Sequence, residues 1–322
     1  MNSKLHAWHC DVHWYPQEML GCSKQKFVSG THSIWTSESD FWLLEYPEIF
    51  TQNSIVTMTN QDDLNALPGI DLFRLNGQLA VVTGGSRGLG WAMACGLASA
   101  GADILLVSRN QAQLEKCAET IASTYGTKAW GYAADVGDES SVEKLKDYCL
   151  SQFGSPSILI NNAGINIRGA IDELSFDQFK QVLATNVQAP WLVTRAFVES
   201  MKENRYGRII HIASTLGLVG LANRTPYTAS KGALVQLTRA MALEFAPWNI
   251  TCNAICPGPF LTEMNKGVAD DPDIKTNIVG ATVMGRWGEL KEIQGAAIYL
   301  ASPGSSFTTG SMLVVDGGWT AR

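Results

Sequence analysis

The sequence predicts an α/β protein: a single domain with a doubly wound, seven-stranded parallel sheet behind an irregular N-terminal extension. Two observations carry this. From Gln78 onward, short apolar runs alternate with longer stretches whose apolar residues recur at helical spacing. The first of those runs meets a glycine cluster, T-G-G-S-R-G-L-G at 83–90, before the first helix. Short apolar strands joined through amphipathic helices imply a parallel sheet covered on both faces.

In order, the first strand is expected at Leu79–Val82 and the first helix at Arg87–Ser99, with Gly101 as its stop. Next come a strand at Asp103–Val107, a helix at Gln111–Tyr125, a strand at Ala129–Ala134, a helix at Glu139–Phe153 and a strand at Ile158–Ile160. Helices follow over 175–204 and 226–246, strands near 208–213 and 250–256, a helix at Glu289–Leu300 and a last strand at Met312–Val315. Between about Thr262 and Gly288, periodicity is weak and Gly267, Pro272, Gly280 and Gly285 intervene, so this stretch reads as a mobile substrate lid.

Residues 1–70 read as a poorly ordered extension and 71–322 as the domain. Four of the five histidines (His6, His9, His13, His32) and four of the ten tryptophans fall in the first 42 residues, without strand or helix period. His6, His9, Cys10, His13 and Cys22 match no familiar zinc spacing, so no metal is expected. Residues 1–57 read as dispensable, with Met58 as an alternative start; a native peptide recovered from within residues 5–50 would overturn that start.

A net charge of -6 gives no reason to expect nucleic acid or an anionic membrane as partner. No apolar run approaches the roughly 20 residues of a membrane span. No secretory or Arg-rich targeting pattern opens the chain, so a cytoplasmic location is the default. Seven scattered cysteines read as reduced thiols.

The chemistry centres on Tyr227 and Lys231. Pro226 opens a helical run to Phe245, placing the two side chains one turn apart on one face. A phenol titrates near 10, and a neighbouring ammonium is expected to lower that value. A shift of about 3 units requires roughly 4 kcal/mol, within reach only with a second positive charge nearby. Ser214, at the end of an apolar run, can share a substrate oxygen with Tyr227. Taken alone, Tyr-x-x-x-Lys also suits a solvated helix pair.

Gly84, Gly88 and Gly90 lie where a pyrophosphate would approach a helix N-terminus. The second strand ends Ser108-Arg109-Asn110, with no carboxylate to repel a 2'-phosphate, and Arg87 lies in the glycine loop. NADP(H) is therefore favoured over NAD(H).

Together, T-G-G-S-R-G-L-G, A-D-V at 134–136, N-N-A-G at 161–164, Asn186, Ser214, Y-T-A-S-K at 227–231 and P-G at 257–258 resemble the short-chain dehydrogenase/reductase family, over about residues 74–320. The resemblance implies a Rossmann-type fold and a catalytic set of Asn186, Ser214, Tyr227 and Lys231. Asn186 would hold a relay water, and Lys231 would lower the tyrosine pKa while binding the nicotinamide ribose. Cofactor contacts are expected from Gly84, Ser86, Arg87, Gly88, Leu89, Gly90 and Arg109. Asp135 and Val136 would hold the adenine, Asn162, Ala163 and Gly164 would line the cleft, and Pro257, Gly258, Phe260 and Thr262 would meet the nicotinamide.

Arg168 and Arg224 are candidates for binding a substrate carboxylate, with solvent or a neighbouring subunit as their alternative partners. N-N-A-G-I-N-I-R, T-P-Y-T-A-S-K-G-A and G-R-W-G-E look most like gluconate 5-dehydrogenases. A 3-oxoacyl-carrier-protein reductase and a broad, tropinone-reductase-like carbonyl reductase stay open, as does a non-catalytic NADP-binding sensor. By resemblance, 175–204 and 226–246 would form the interface of a homodimer or homotetramer.

Overall fold

The structure, a computed structural model, describes residues 67–321 apart from 268–269, 273–275 and 277–278. The expected disorder of the extension, its His/Cys group and the Met58 start lie outside the described residues.

Seven strands, β1 (Leu79–Thr83), β2 (Asp103–Ser108), β3 (Ala129–Ala133), β4 (Ile158–Asn161), β5 (Gly207–Ile212), β6 (Ile250–Pro257) and β7 (Met312–Val315), form one parallel sheet in the order β3-β2-β1-β4-β5-β6-β7. All pairings are parallel. Each strand end falls within one residue of its expected place. The central strands β1, β4, β5 and β6 are buried along their whole length. That is why they read as unbroken apolar runs.

Helices cover both faces: α1 (Gly88–Ser99), α2 (Gln111–Tyr125), α3 (Glu139–Phe153), α4 (Phe176–Leu183), α5 (Ala189–Glu203), α6 (Thr225–Phe245) and α7 (Gln294–Ala301). Asn110 and Asp138 cap α2 and α3 through their side chains, and Ser175 with Gln178 forms a capping box at α4. The small residues of α1 let α7 come close. A Cβ on Gly96 would lie 2.9 Å from the Gln294 side chain, whose Nε2 donates to Ala92 O at 3.1 Å.

The helix expected over 175–204 is interrupted. Ala184–Gln188 forms a π turn between α4 and α5. Such a turn holds one extra residue and aims side chains that a regular helix would place elsewhere.

Strand order reverses between β1 and β4, which opens a crevice at the carboxyl ends of those strands. The loops leaving β1, β4, β5 and β6 all emerge at that end of the sheet. Each carries part of the site.

Candidate active site

The cradle after β1 is built by close approach. Gly84 and Gly88 adopt positive φ of 63° and 56°, a conformation that favours glycine. A Cβ on Gly90 would stand 2.3 Å from Gly84 O and 2.4 Å from Asn162 Nδ2. Asn162 Nδ2 donates to Thr83 O and Gly84 O, and Thr83 Oγ1 accepts from the backbone N–H of Asn162 and Ala163. The turn after β4 is thus tied to the glycine loop. Leu89 packs partly on the core, while the first N–H groups of α1 lack helical acceptors. This chain therefore fits the pyrophosphate of a dinucleotide.

The rest of the expected cofactor set is distributed as follows. Ser86 O accepts from Gln113 Nε2 at 3.2 Å, which fixes the loop to α2. Arg87 and Arg109 are exposed, and neither forms an ion pair among the described residues. Asp135 Oδ1 accepts from Gly137 N at 2.9 Å and shapes its own turn, while Val136 packs on the core. Gly258 lies so close to Asp316 that a Cβ would fall 2.6 Å from the aspartate Cβ, and Thr262 faces Gly88. The ring of Phe260 is buried against Gly288, so a contact of this residue with the cofactor would come from its backbone.

Pro226 lies in the first turn of α6, and Tyr227 and Lys231 follow on one face, the Nζ 5.5 Å from the phenol ring centroid. Lys231 is buried and donates to Ile212 O at 2.7 Å. Ser214 Oγ accepts from Leu216 N at 3.1 Å, which leaves its O–H free to donate elsewhere. Asn186, in the π turn, donates to Ile165 O at 2.9 Å and Ser230 Oγ at 3.0 Å and accepts from Ile165 N at 2.9 Å. Both its amide hydrogens are committed to holding the loop after β4 against α6. Gly164 lies between: a Cβ there would be 3.1 Å from Asn186 Oδ1 and 3.6 Å from Lys231 Nζ.

The electrostatics correct one expectation. Burial pushes the Tyr227 phenol up, and the opposing pull of the Ser214 hydrogen bond and the Arg168 guanidinium does not outweigh it. Lys231 is not among the groups that pull the phenol down here, and burial works on the amine too. Loss of hydration lowers Lys231 from 10.5 to about 8, with nearby Cys256 pulling slightly the other way. The amine's charge in the free chain is therefore lost as pH rises through about 8. With NADPH as the varied reactant, kcat/KM is expected to fall by up to about tenfold per pH unit above that point. A flat profile between pH 7 and 10 would show that the charge does not matter.

His211, the one histidine among the described residues, offers no alternative proton donor. Complete burial, helped by Lys231, holds it neutral down to about 3, and its Nδ1 lies 2.9 Å from Thr238 Oγ1. No group of three or more His, Cys, Asp or Glu side chains close enough to hold a metal occurs among the described residues. No helix among them is long and apolar enough to cross a membrane.

Tyr227 and Ser214 face a cleft of about 130 Å³, open to solvent, together with Arg168, Arg224, Trp287 and Trp319. Arg168 Nη2 donates to Asn265 Oδ1 at 2.9 Å, and Arg224 Nη1 donates to Asn223 O at 2.7 Å. Burial, and then the Arg168 charge, lower the Arg224 pKa. Neither guanidinium has an acidic partner among the described residues. Asn166, Trp287 and Trp319 were not among the residues the sequence pointed to. Asn166 and Trp287 lie inside N-N-A-G-I-N-I-R and G-R-W-G-E, which offered a weak hint, but nothing local marks Trp319.

A crossover crevice with a glycine cradle on one side and a phenol, a buried amine and a hydroxyl on the other is the frame of a nicotinamide-dependent oxidoreductase. A family model described as enoyl-(acyl carrier protein) reductase matches residues 84–320. The gluconate 5-dehydrogenase of Gluconobacter oxydans is 38% identical over 250 residues, 78% of this chain and 97% of that protein. The 5-keto-D-gluconate 5-reductase of Escherichia coli K12 is 35% identical over 248 residues, 77% of this chain and 97% of that protein. A crystal structure of a gluconate 5-dehydrogenase from Burkholderia cenocepacia, in complex with NADP and tartrate, superposes with a TM-score of 0.76 at 36% identity, covering 79% of this chain and 99% of that one. The chain belongs to the short-chain dehydrogenase/reductase family.

Proposed function

We propose that this chain is an NADP(H)-dependent oxidoreductase that interconverts the secondary alcohol and ketone of a sugar acid. The observation that carries the substrate class is the pair Arg168 and Arg224. Two cations close enough for the Arg168 charge to lower the Arg224 pKa, with no carboxylate paired to either among the described residues, favour an anion in the cleft that also holds Tyr227 and Ser214. The likeness to gluconate 5-dehydrogenases supports the same class, and the NADP bound by the Burkholderia relative supports the cofactor. Arg87 and Arg109, exposed beside the glycine loop and at the end of β2, provide the charge that a 2'-phosphate requires.

When bound, the nicotinamide supplies or accepts the hydride. In the reducing direction negative charge grows on the carbonyl oxygen, and Tyr227 gives its hydroxyl proton there. A phenol that burial keeps protonated is ready for that direction. Ser214, with its acceptor side already taken by Leu216, turns its O–H to the same oxygen, where the bond strengthens as charge develops. Lys231 supports the phenolate left behind, and Asn186 holds the backbone at Ile165 through which the cleft keeps its shape. Assembly as a homodimer or homotetramer through α5 and α6 belongs to the same reading. Trp191 and Leu243 lie exposed on those helices, 46% and 80% accessible.

The test is NADPH oxidation, followed optically, with 5-keto-gluconate, β-ketoesters and diketones, and with NADH alongside. Turnover of the keto acid in preference to the neutral ketones is expected, and NADPH is expected to outperform NADH. Arg168→Ala is expected to raise KM for the keto acid by about tenfold or more, since hydrogen bonds between charged groups contribute about 1.5–3 kcal/mol. An unchanged KM would remove the carboxylate role.

A further inference from the structure

The loop after β4 and the segment after β6 are joined in the cleft wall by Arg168 and Asn265, both of which line it. Arg168 Nη2 donates to Asn265 Oδ1 at 2.9 Å, and Asn265 Nδ2 donates in turn to Phe260 O at 2.9 Å. A carbonyl oxygen can only accept, so Phe260 O takes the amide nitrogen and turns the carboxamide oxygen toward the guanidinium. Asn265 N and Lys266 N both donate to Thr262 O, which fixes the backbone that carries this side chain. The guanidinium is therefore held by a chain of neutral groups.

Arg224 is brought to the same wall through the backbone. Asn223, at a positive φ of 58°, offers its carbonyl oxygen both to Gly169 N at 3.2 Å and to Arg224 Nη1 at 2.7 Å, so the residue after Arg168 is bonded to the residue before Arg224. Both arginines keep part of their surface in contact with solvent, where a ligand can reach them. A guanidinium has several N–H groups, and Asn265 takes one from Arg168 among the described residues. A carboxylate at position 265 would accept the same bond and would also neutralise the cation it holds. An amide there leaves the charge available.

We propose that Asn265 determines the charge of the ligand this cleft accepts: its carboxamide fixes the Arg168 guanidinium without cancelling its charge, so that a carboxylate of the substrate completes the site. Asn265 is a positioning residue, acting through Arg168. The inference rests on the sugar-acid reading and places the choice of an acid over its neutral analogue in the segment after β6. Selection of this kind is a difference between two affinities. A carboxylate built into the wall would occupy the guanidinium before an anionic ligand arrived, and a neutral ligand would lose little by it.

The experiment compares 5-keto-gluconate with its methyl ester, which lacks the charge, in the wild type, Asn265→Asp and Asn265→Ala, with NADPH. The wild type is expected to prefer the acid. Asn265→Asp is expected to lower the acid-to-ester ratio of kcat/KM by about tenfold or more, chiefly through KM, and Asn265→Ala, which loses both side-chain bonds but adds no charge, by less. Packing alone would order the variants the other way, because Asp has the shape of Asn and Ala does not. A ratio that Asp leaves within about twofold of the wild type, or a larger fall with Ala than with Asp, would overturn the proposal. If the wild type shows no preference for the acid, the sugar-acid reading fails on its own. Tartrate is then titrated calorimetrically into the NADPH complex as a probe anion, and Asn265→Asp must still weaken its binding by about tenfold. Absence of tartrate binding in the wild type, or equal affinity in both proteins, would overturn the proposal.

Discussion

Tyr227→Phe is expected to reduce turnover by about a hundredfold to ten-thousandfold while NADPH affinity stays within about twofold. Proton delivery by a positioned side chain contributes a factor of that size. Phenylalanine keeps the ring beside which Lys231 lies at 5.5 Å, so packing and the amine's position persist while the proton disappears. Neither His211 nor Ser214 can substitute. His211 is neutral and points its Nδ1 at Thr238, and Ser214 is far too weak an acid in its ordinary state. Steady-state rates and a fluorescence titration of NADPH together check this. A variant that retains a tenth of the wild-type rate would remove Tyr227 from the chemistry.

Gly90→Ala is expected to cost the chain its cofactor. The new methyl would sit 2.3 Å from Gly84 O, a backbone atom with little freedom, and 2.4 Å from the Asn162 amide that joins the two loops of the crevice. Relieving such overlap costs about 1–3 kcal/mol and displaces the loop. A loss of NADPH affinity of tenfold or more and a lower Tm are expected, read by the same titration and by thermal unfolding. Gly295→Ala is the control. It lies in α7 with nothing within 4 Å of the added Cβ, so helix propensity should leave it neutral or raise stability by up to about 1 kcal/mol.

Most of the fold was legible because the physics that sets it is local. The helices at Gln111–Tyr125 and Glu139–Phe153 and the strand at Met312–Val315 occupy their expected spans. Apolar period, an Asn or Asp cap and a following glycine fix each of those helices within a dozen or so residues of chain. What escaped was set by contacts between distant segments. The interruption at Ala184–Gln188 depends on the bonds of Asn186 to Ile165 and Ser230, and helical period over 175–204 contains no trace of them. The rise of the Tyr227 pKa is a matter of enclosure, which the spacing of Tyr227 and Lys231 does not encode. Trp319 reaches the cleft through a turn fastened to Met284, and neither residue is near the Tyr-Lys segment in sequence. Phe260 sat in a stretch read as ligand-facing, but its ring found the core.

The π turn has a consequence for how this gene can change. The turn holds one residue more than an α-helix would, so deleting a single codon within 184–188 would restore ordinary pitch and leave the rest of α5 in register, at the expense of the position that Asn186 occupies. Asn186 would no longer reach Ile165 and Ser230. Loss of one residue would therefore spare the helix and cost the site, so the length of this stretch is held by the bonds of Asn186 and not by the packing of α5.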